Sequence, residues 1–491
     1  MQRKQLTLVI VSLLVVVLSV SLAYFTTQII GKGKDVSVTS TNLQIVFTDT
    51  DGEIAGADIE PGWQKTKTFT VQNNSKSEYK YNIVIKDLVN TFVTNGYLQY
   101  KITSTNNGYN MTEYNDVPKS QTASDKVLAY SVVIPKDVTQ TYTIEFRYLN
   151  DEEVDQGDDM GKVLKGTLFI TEGTEDIYAG YEEGTLGYQI MGDNPTRSTR
   201  SNNNNGTNDF ATPLTTTTTG TLFTSTESIT GITDSPKEVY YYAGNTTNNW
   251  VKFANIYWRI IRTNHDGSIR LLYVGTSHDT TDSNIGKSKF NPSSNSPKYV
   301  GYKYGEDTSL DTIRNNTTDS TIKTTIDTWY QNNLTDYTKY LSTSAVYCND
   351  RSLGTGQEYS ASANFNFAPH YRMDYATDGA KANPSYNCTD IRDTFSVDNT
   401  SAKLDYPISL MTADEISFAG GVAYQTMSTP YAWFISNSTG TQVSTYWWSL
   451  SPNYWNRGDA NVWNWNSDNA NLNSNNVDNT NAVRPANFSR V

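Results

Sequence analysis

The chain has 491 residues, of which 18% are charged, 37% hydrophobic and 12% aromatic, with 34 tyrosines. At about 100–200 residues per domain there is room for two or three cores, and so many aromatics with so few charges exclude a mostly disordered chain. A formal net charge of -13, without any basic stretch interleaved with aromatics, argues against a nucleic-acid partner.

The first element predicted is a membrane segment. After Arg3 and Lys4 come twenty uncharged, mostly apolar residues over 6–25, the length of a bilayer-spanning helix with its basic end cytoplasmic. Residues 1–34 are therefore expected to be a transmembrane anchor or signal segment. The remainder is expected at the extracellular face of the membrane, released if the chain is cut after Ala23.

Residues 35–172 read as a β-sandwich. Strands are predicted over 43–47, 66–72, 79–86, 97–103, 128–134, 141–147 and 166–171, separated by turn residues such as Asp51-Gly52, Pro61-Gly62 and Asn106-Asn107-Gly108. In TKTFTVQ, Phe69 and Val71 fall on one face and Thr68, Thr70 and Gln72 on the other. The PGW turn followed by TKTFTVQNNS resembles TasA/camelysin-type exported β-sandwich domains, which implies a structural or fibre-forming module. Two acidic loops, TDTDGE over 48–53 and the cluster Asp151, Glu152, Glu153, Asp155, Asp158 and Asp159, read as solvated turns, since the first lacks the bidentate acid that closes an EF-hand loop.

Residues 173–237 are Thr-, Asn- and Ser-rich and are expected to be a linker, within which GTLGYQIM (184–191) can pack on either neighbour. Residues 238–491 read as a second, α+β domain. VKFANIYWRIIRTNHDGSIRLLYVG is two strands joined by an Asp-Gly hairpin turn. Residues 320–334 have a helical rhythm in Ile322, Ile326, Trp329 and Tyr330. TADEISFAGG is a capped helix, with Thr412 and Glu415 as a capping box and Gly420-Gly421 as its end.

The tail is the most distinctive part. In VWNWNSDNANLN, Trp463 and Trp465 alternate with Asn464 and Asn466, and beyond a Ser467-Asp468-Asn469 turn Ala470 and Leu472 alternate with Asn471 and Asn473. This predicts a hairpin with a buried tryptophan face and an outward carboxamide face. Amides carry donors and an acceptor without charge, and aromatic neighbours add rigid contact area, a composition suited to recognition. The candidate ligand-binding residues are Asn453, Tyr454, Trp455, Asn456, Asp459, Asn461, Asn464, Asn466, Asn471, Asn473 and Asn475.

WRIIR (258–262), YCNDRS (347–352), LDYPISLMTADEISFAGG (404–421), WWSLSP (447–452) and VRP (483–485), in that order, resemble a bacterial surface domain family of unknown function with a C-type-lectin-like fold. The tail is similar to the variable proteins of diversity-generating retroelements. That likeness implies diversifiable positions at Asn453, Asn456, Asn461, Asn464, Asn466, Asn471, Asn473 and Asn475. The fold class expected is mainly β, with an N-terminal transmembrane helix, a β-sandwich and then a C-type-lectin-like α+β domain whose terminal strands return to the first hairpin.

Enzymatic readings find little support. The lectin-like fold is shared with formylglycine-generating enzymes, whose paired cysteines near the chain end are missing. Cys348 and Cys388 read instead as a structural disulfide or as buried thiols. Asp414 and Glu415 point apart on a helix, and no Ser or Cys nucleophile motif adjoins His265, His278 or His370. The EPN or QPD and WND strings of calcium-dependent sugar-binding lectins do not occur, so no metal or other cofactor is expected. The function expected is binding of a protein or glycan ligand at the cell exterior, or adhesion. A structural envelope or matrix protein is the alternative, and an enzyme on the lectin-like pocket the weaker one.

Overall fold

A computed structural model describes residues 36–40, 43–49, 54–55, 59–152, 154–174, 176–181, 184–203, 207–374 and 382–490. The apolar segment over 6–25 and most of TDTDGE lie outside the described residues, among which no helix is long and apolar enough to cross a membrane. The chain divides into one unit ending at Asp176 and another beginning at Ile177, and both are built mainly from β-strands.

In the first unit one sheet takes the order Val36–Ser40, Leu43–Asp49, Gln64–Asn73, Thr139–Tyr148, Leu98–Ser104, Asn115–Asp116, and a second the order Ile54–Ala55, Leu164–Glu172, Tyr79–Asn90, Ser120–Ile134. The seven strands read from alternation lie within a few residues of observed ones, except that Ser120–Ile134 begins eight residues before its predicted start. Gln64–Asn73 turns Lys67, Phe69, Val71 and Asn73 inward and Thr66, Thr68 and Gln72 outward, the period of two that half-burial demands. Phe69 stacks on Tyr142 with ring centres 4.8 Å apart, and the Tyr142 hydroxyl meets that of Tyr81 from the other sheet at 2.5 Å. One core thus serves both sheets. In the acidic cluster, Asp159 departs from the expectation of a solvated turn. It is buried, accepting from the Val93 amide and the Tyr148 hydroxyl, and hydrogen bonds from Thr94, Val93 and Tyr148 hold its carboxyl below the usual range although burial pushes the other way.

The second unit corrects the expected linker. Helix Leu186–Asp193 and strands Thr196–Thr199 and Thr221–Glu227 belong to it, and its larger sheet runs Thr196–Thr199, Thr221–Glu227, Lys237–Tyr241, Ile256–Thr263, Ile269–Gly275, Pro485–Ser489, Ile408–Leu410. Composition misled because threonine is β-branched and suits a strand, so Ile190, Met191 and Leu222 are enough apolar surface to join the core. A smaller sheet has the order Lys287–Lys289, Thr480–Ala482, Trp447–Asn456, Asp459–Asn466, Asn471–Asn476. Helix Thr321–Asn333 starts at a Ser320 cap, and helix Ala413–Ala419 carries the Thr412/Glu415 capping box. That helix ends at Gly420, which admits glycine alone, since its φ is +121° and a Cβ there would lie 2.5 Å from the Leu214 carbonyl oxygen.

Buried charge joins these elements. Glu415 accepts from Arg262 Nε at 3.0 Å and lies 2.8 Å from Arg270 Nε, while Arg262 also reaches Glu227 at 2.7 Å. Arg372 binds Asp414 at 2.9 Å and Asp350 at 2.7 Å, and Arg351 binds Asp393 at 2.7 Å. The disulfide Cys348–Cys388 adjoins this framework, and the groups around it enclose about 20 Å³, room for one water. Glu415 is thus both a cap partner and the counter-ion of two guanidiniums.

Removing one partner of such a buried pair strands the others, at about 3–5 kcal/mol. Glu415→Gln is expected to destabilise the second unit by that amount in urea unfolding followed by tryptophan fluorescence, which reports this unit because only Trp63 lies outside it. Burial opposes ionisation of Glu227, but Arg262 and His265 prevail and hold it at about 2. Its contribution is therefore complete above the ordinary glutamate range and lost as pH falls toward 2. Stability measured against pH is expected to fall more steeply in the wild type than in Glu227→Gln across that interval.

Candidate functional site

The terminal hairpin has the predicted alternation. In register, Trp465 faces Leu472 and Trp463 faces Ser474 on one side, and Asn464 faces Asn473 and Asn466 faces Asn471 on the other. Trp463, Trp465 and Leu472 are fully buried. The carboxamide side is not open as expected. On that side Asn464 is 2% exposed and Asn466 and Asn471 are buried, and of the other candidates Asn453, Trp455 and Asn461 are buried too.

The reason is topological. Asp459–Asn466 is an inner strand, and residues 288–294 lie on its carboxamide side. There the Ser288 carbonyl accepts from Trp448 Nε1, Phe290 packs on Trp448 at 5.8 Å, and the Ser294 carbonyl accepts from the Ala460 amide. Of the candidate residues only Asn456 is exposed, while Tyr454, Asp459, Asn473 and Asn475 are half-buried. Asp459 accepts from Asn476 Nδ2 at 3.0 Å, and Asn475 Oδ1 from Asn479 Nδ2 at 2.6 Å.

On the tryptophan side the structure brings together residues that strand alternation could not. Helix Ala368–Met373 places His370 against Trp463, rings nearly parallel and 6.1 Å apart, with Tyr454 edge-on at 6.1 Å. His370 Nδ1 is hydrogen-bonded to Asn453 Oδ1, and Nε2 lies 3.6 Å from Asp374. Burial lowers the imidazole below its ordinary range, against the Asn453 hydrogen bond and the Asp374 charge. Tyr424, 45% exposed with φ of +57°, covers Trp463 at 5.7 Å. A tyrosine in the left-handed region is unusual and costs about 1–3 kcal/mol. The fully buried Trp463 Nε1 has no hydrogen-bond partner among the described residues, while the Asn453 amide approaches the Tyr424 hydroxyl as well as His370. An unmade donor is suited to giving a hydrogen bond to an oxygen atom of a water or a ligand.

Two other clusters fail on geometry. Ser438, His278 and Asp279 meet in an exposed loop, which the sequence did not signal because 160 residues separate Ser438 from His278. Both partners lie on the same nitrogen, Nδ1, whereas a nucleophile and its orienting acid need opposite ring nitrogens. Asp319, Asp327 and Asp405 converge as a metal site would, but Lys323 Nζ stands among them at 3.0, 2.6 and 2.5 Å. Burial would lower that ammonium, and Asp327 with its two neighbours instead holds it well above the ordinary range. The cation of this cluster is a side chain.

Comparison with known proteins finds no matching family and no matching curated protein. Among solved structures, a ruminal GH26 endo-beta-1,4-mannanase is similar at 13% identity and a TM-score of 0.15, over 31% of this chain and 30% of that one. The chain thus spans about a third of the mannanase's length, and so slight a likeness carries no argument about fold or activity.

Calorimetric titration with Ca²⁺ is expected to show no binding at the Asp319 cluster of the wild type. Lys323→Met, which leaves three carboxylates unneutralised, is expected to gain it.

Proposed function

We propose that the chain is a ligand-binding or adhesion protein of the cell exterior, attached through its N-terminal apolar segment, with a C-type-lectin-like second unit that recognises a protein or glycan. The observation that carries this reading is the placement of Tyr424: a partly exposed, strained aromatic over a buried indole whose Nε1 has no hydrogen-bond partner among the described residues. Function is a common reason for a fold to hold such strain, and an aromatic lid over an unpaired indole donor fits a ligand that offers a flat face and an oxygen atom. Binding is favoured over catalysis because His370 Nδ1 is engaged by an amide and, among the described residues, no hydroxyl or thiol is hydrogen-bonded to this imidazole.

The retroelement reading takes a narrower form on this account. Asn456, Asn473 and Asn475 can change side chain without opening the core, whereas Asn453, Asn461, Asn464, Asn466 and Asn471 cannot. If the tail is diversified, sequencing of its coding end from separate isolates is expected to show variation at the first three positions and constancy at the other five. Equal scatter at both sets would contradict it.

The binding reading is tested with the full-length protein on arrays of glycans and cell-surface proteins. Tyr424→Asn removes the ring yet tolerates positive φ, and is expected to weaken binding tenfold or more while leaving the melting temperature within a few degrees. No binding to either array, or binding indifferent to Tyr424→Asn and Asn473→Ala, would count against it.

A further inference from the structure

The first unit holds a lysine where its fold calls for an apolar residue. Strand Gln64–Asn73 turns Lys67 inward in line with Phe69 and Val71. Directly across from Lys67, on Thr139–Tyr148, is the fully buried Ile144. On the other side, Leu43–Asp49 pairs Asp49 with Phe69, which makes Asp49 the diagonal neighbour of Lys67 on the same face. Lys67 Nζ lies 3.3 Å from Asp49 Oδ2, with the lysine side chain wholly buried and that of Asp49 8% exposed. Phe47, two residues before Asp49, packs on Phe69 at 5.6 Å and on Phe169 of the opposite sheet at 5.7 Å. Phe47, Phe69 and Ile144 are thus among the neighbours of the pair.

The geometry points to condensation of Lys67 with Asp49 into an intramolecular amide that ties strand Leu43–Asp49 covalently to strand Gln64–Asn73. An ion pair taken out of water costs several kcal/mol per ion, which attraction only partly offsets. Joining the two groups as a neutral amide removes both charges. The fold holds amine and carbonyl carbon side by side, turning a bimolecular reaction into a unimolecular one of high effective molarity. The ammonium gives a proton to the carboxylate, leaving a neutral amine and a carboxylic acid. The amine lone pair attacks Cγ to form the C–N bond. The Cγ–OH bond then breaks, and the hydroxyl leaves with a second amine proton as water. No oxidant, reductant or outside reagent enters.

Lys323 shows why the reaction is not general. Its Nζ is shared by three carboxylates, of which Asp319 is 38% and Asp405 60% exposed, so the ammonium stays charged and solvated carboxylates surround it. Lys67 meets Asp49 at 3.3 Å with its own side chain wholly buried and the carboxylate 8% exposed.

The test is the intact mass of the folded full-length protein, with its disulfide reduced, beside Lys67→Arg prepared in the same way. Arginine keeps the buried cation and the ion pair, but its guanidinium is always charged and cannot be acylated here, and any trimming of the chain affects both proteins alike. The wild type is expected to fall one water below the mass that the substitution alone predicts from the variant. Proteolysis is expected to give a branched peptide with two amino termini joined at Asp49 and Lys67. A wild type and variant that differ only by the substitution, or a water deficit at another pair of residues, would overturn the inference.

Discussion

Buried guanidinium–carboxylate pairing is the constraint on which the second unit depends. Arg262 and Arg270 come from adjacent strands of the larger sheet, Glu415 from the first turn of helix Ala413–Ala419, and Glu227 from the strand two places away. None of these charges is tolerable alone in the interior, so the helix is held against the sheet by the same carboxylate that caps it, through Oε1 to the arginines and Oε2 to the Thr412 amide. Arg372 extends the arrangement by joining Asp414 to Asp350, and Asp350 is two residues from Cys348 in the disulfide. The segments WRIIR, YCNDRS and TADE thus contribute groups to one connected framework. Arg259 and Arg484 are held differently, by carbonyls of Ser436, Phe434 and Tyr273 and by the faces of Trp250 and Trp447.

That framework determines what the terminal hairpin can offer to a ligand. Because helix Ala413–Ala419 and the loop after it lie on the tryptophan side and residues 288–294 on the carboxamide side, the inner strand Asp459–Asn466 has no free face. What remains accessible lies where coverage stops: the turn at Asn456, the outer strand at Asn473 and Asn475, and Tyr424 over Trp463. Recognition by this unit would be carried by a rim around a rigid centre, so side chains at the rim can change with little effect on packing. The strain at Tyr424 is affordable because its backbone amide is fixed by the Leu472 carbonyl.

Much of the fold was legible locally. Period-two alternation marked the strands of the first unit, and Thr412 and Glu415 marked a helix start to the residue. The carboxamide face was misread because a period of two separates two faces without saying what covers each. Asparagine is small enough to be buried, and its burial depends on a segment more than 160 residues earlier in the chain. The Arg262–Glu415 and His370–Asn453 contacts, separated by 153 and 83 residues, belong to the same class of non-local fact. The supposed linker failed for another reason: few apolar residues were taken to mean no packing, yet one apolar face on each short strand suffices when the sheet to receive it already exists.

The two units handle interior charge in chemically distinct ways. The second uses arginines, whose delocalised cations can each satisfy several acceptors: Arg351 alone reaches Asp393, Asn316 and the carbonyls of Lys303, Ile313 and Arg392. Every guanidinium nitrogen of Arg351 has an acceptor, and such a cation cannot be acylated by the acids beside it. The first unit's Lys67 is different in kind, a buried amine 3.3 Å from the Asp49 carboxylate with Ile144 and Phe69 as strand neighbours. An arginine would carry the same charge with more donors, so charge by itself does not account for a lysine there. Nucleophilicity, the property that a guanidinium lacks, is the chemical difference that would make lysine the better residue at this position.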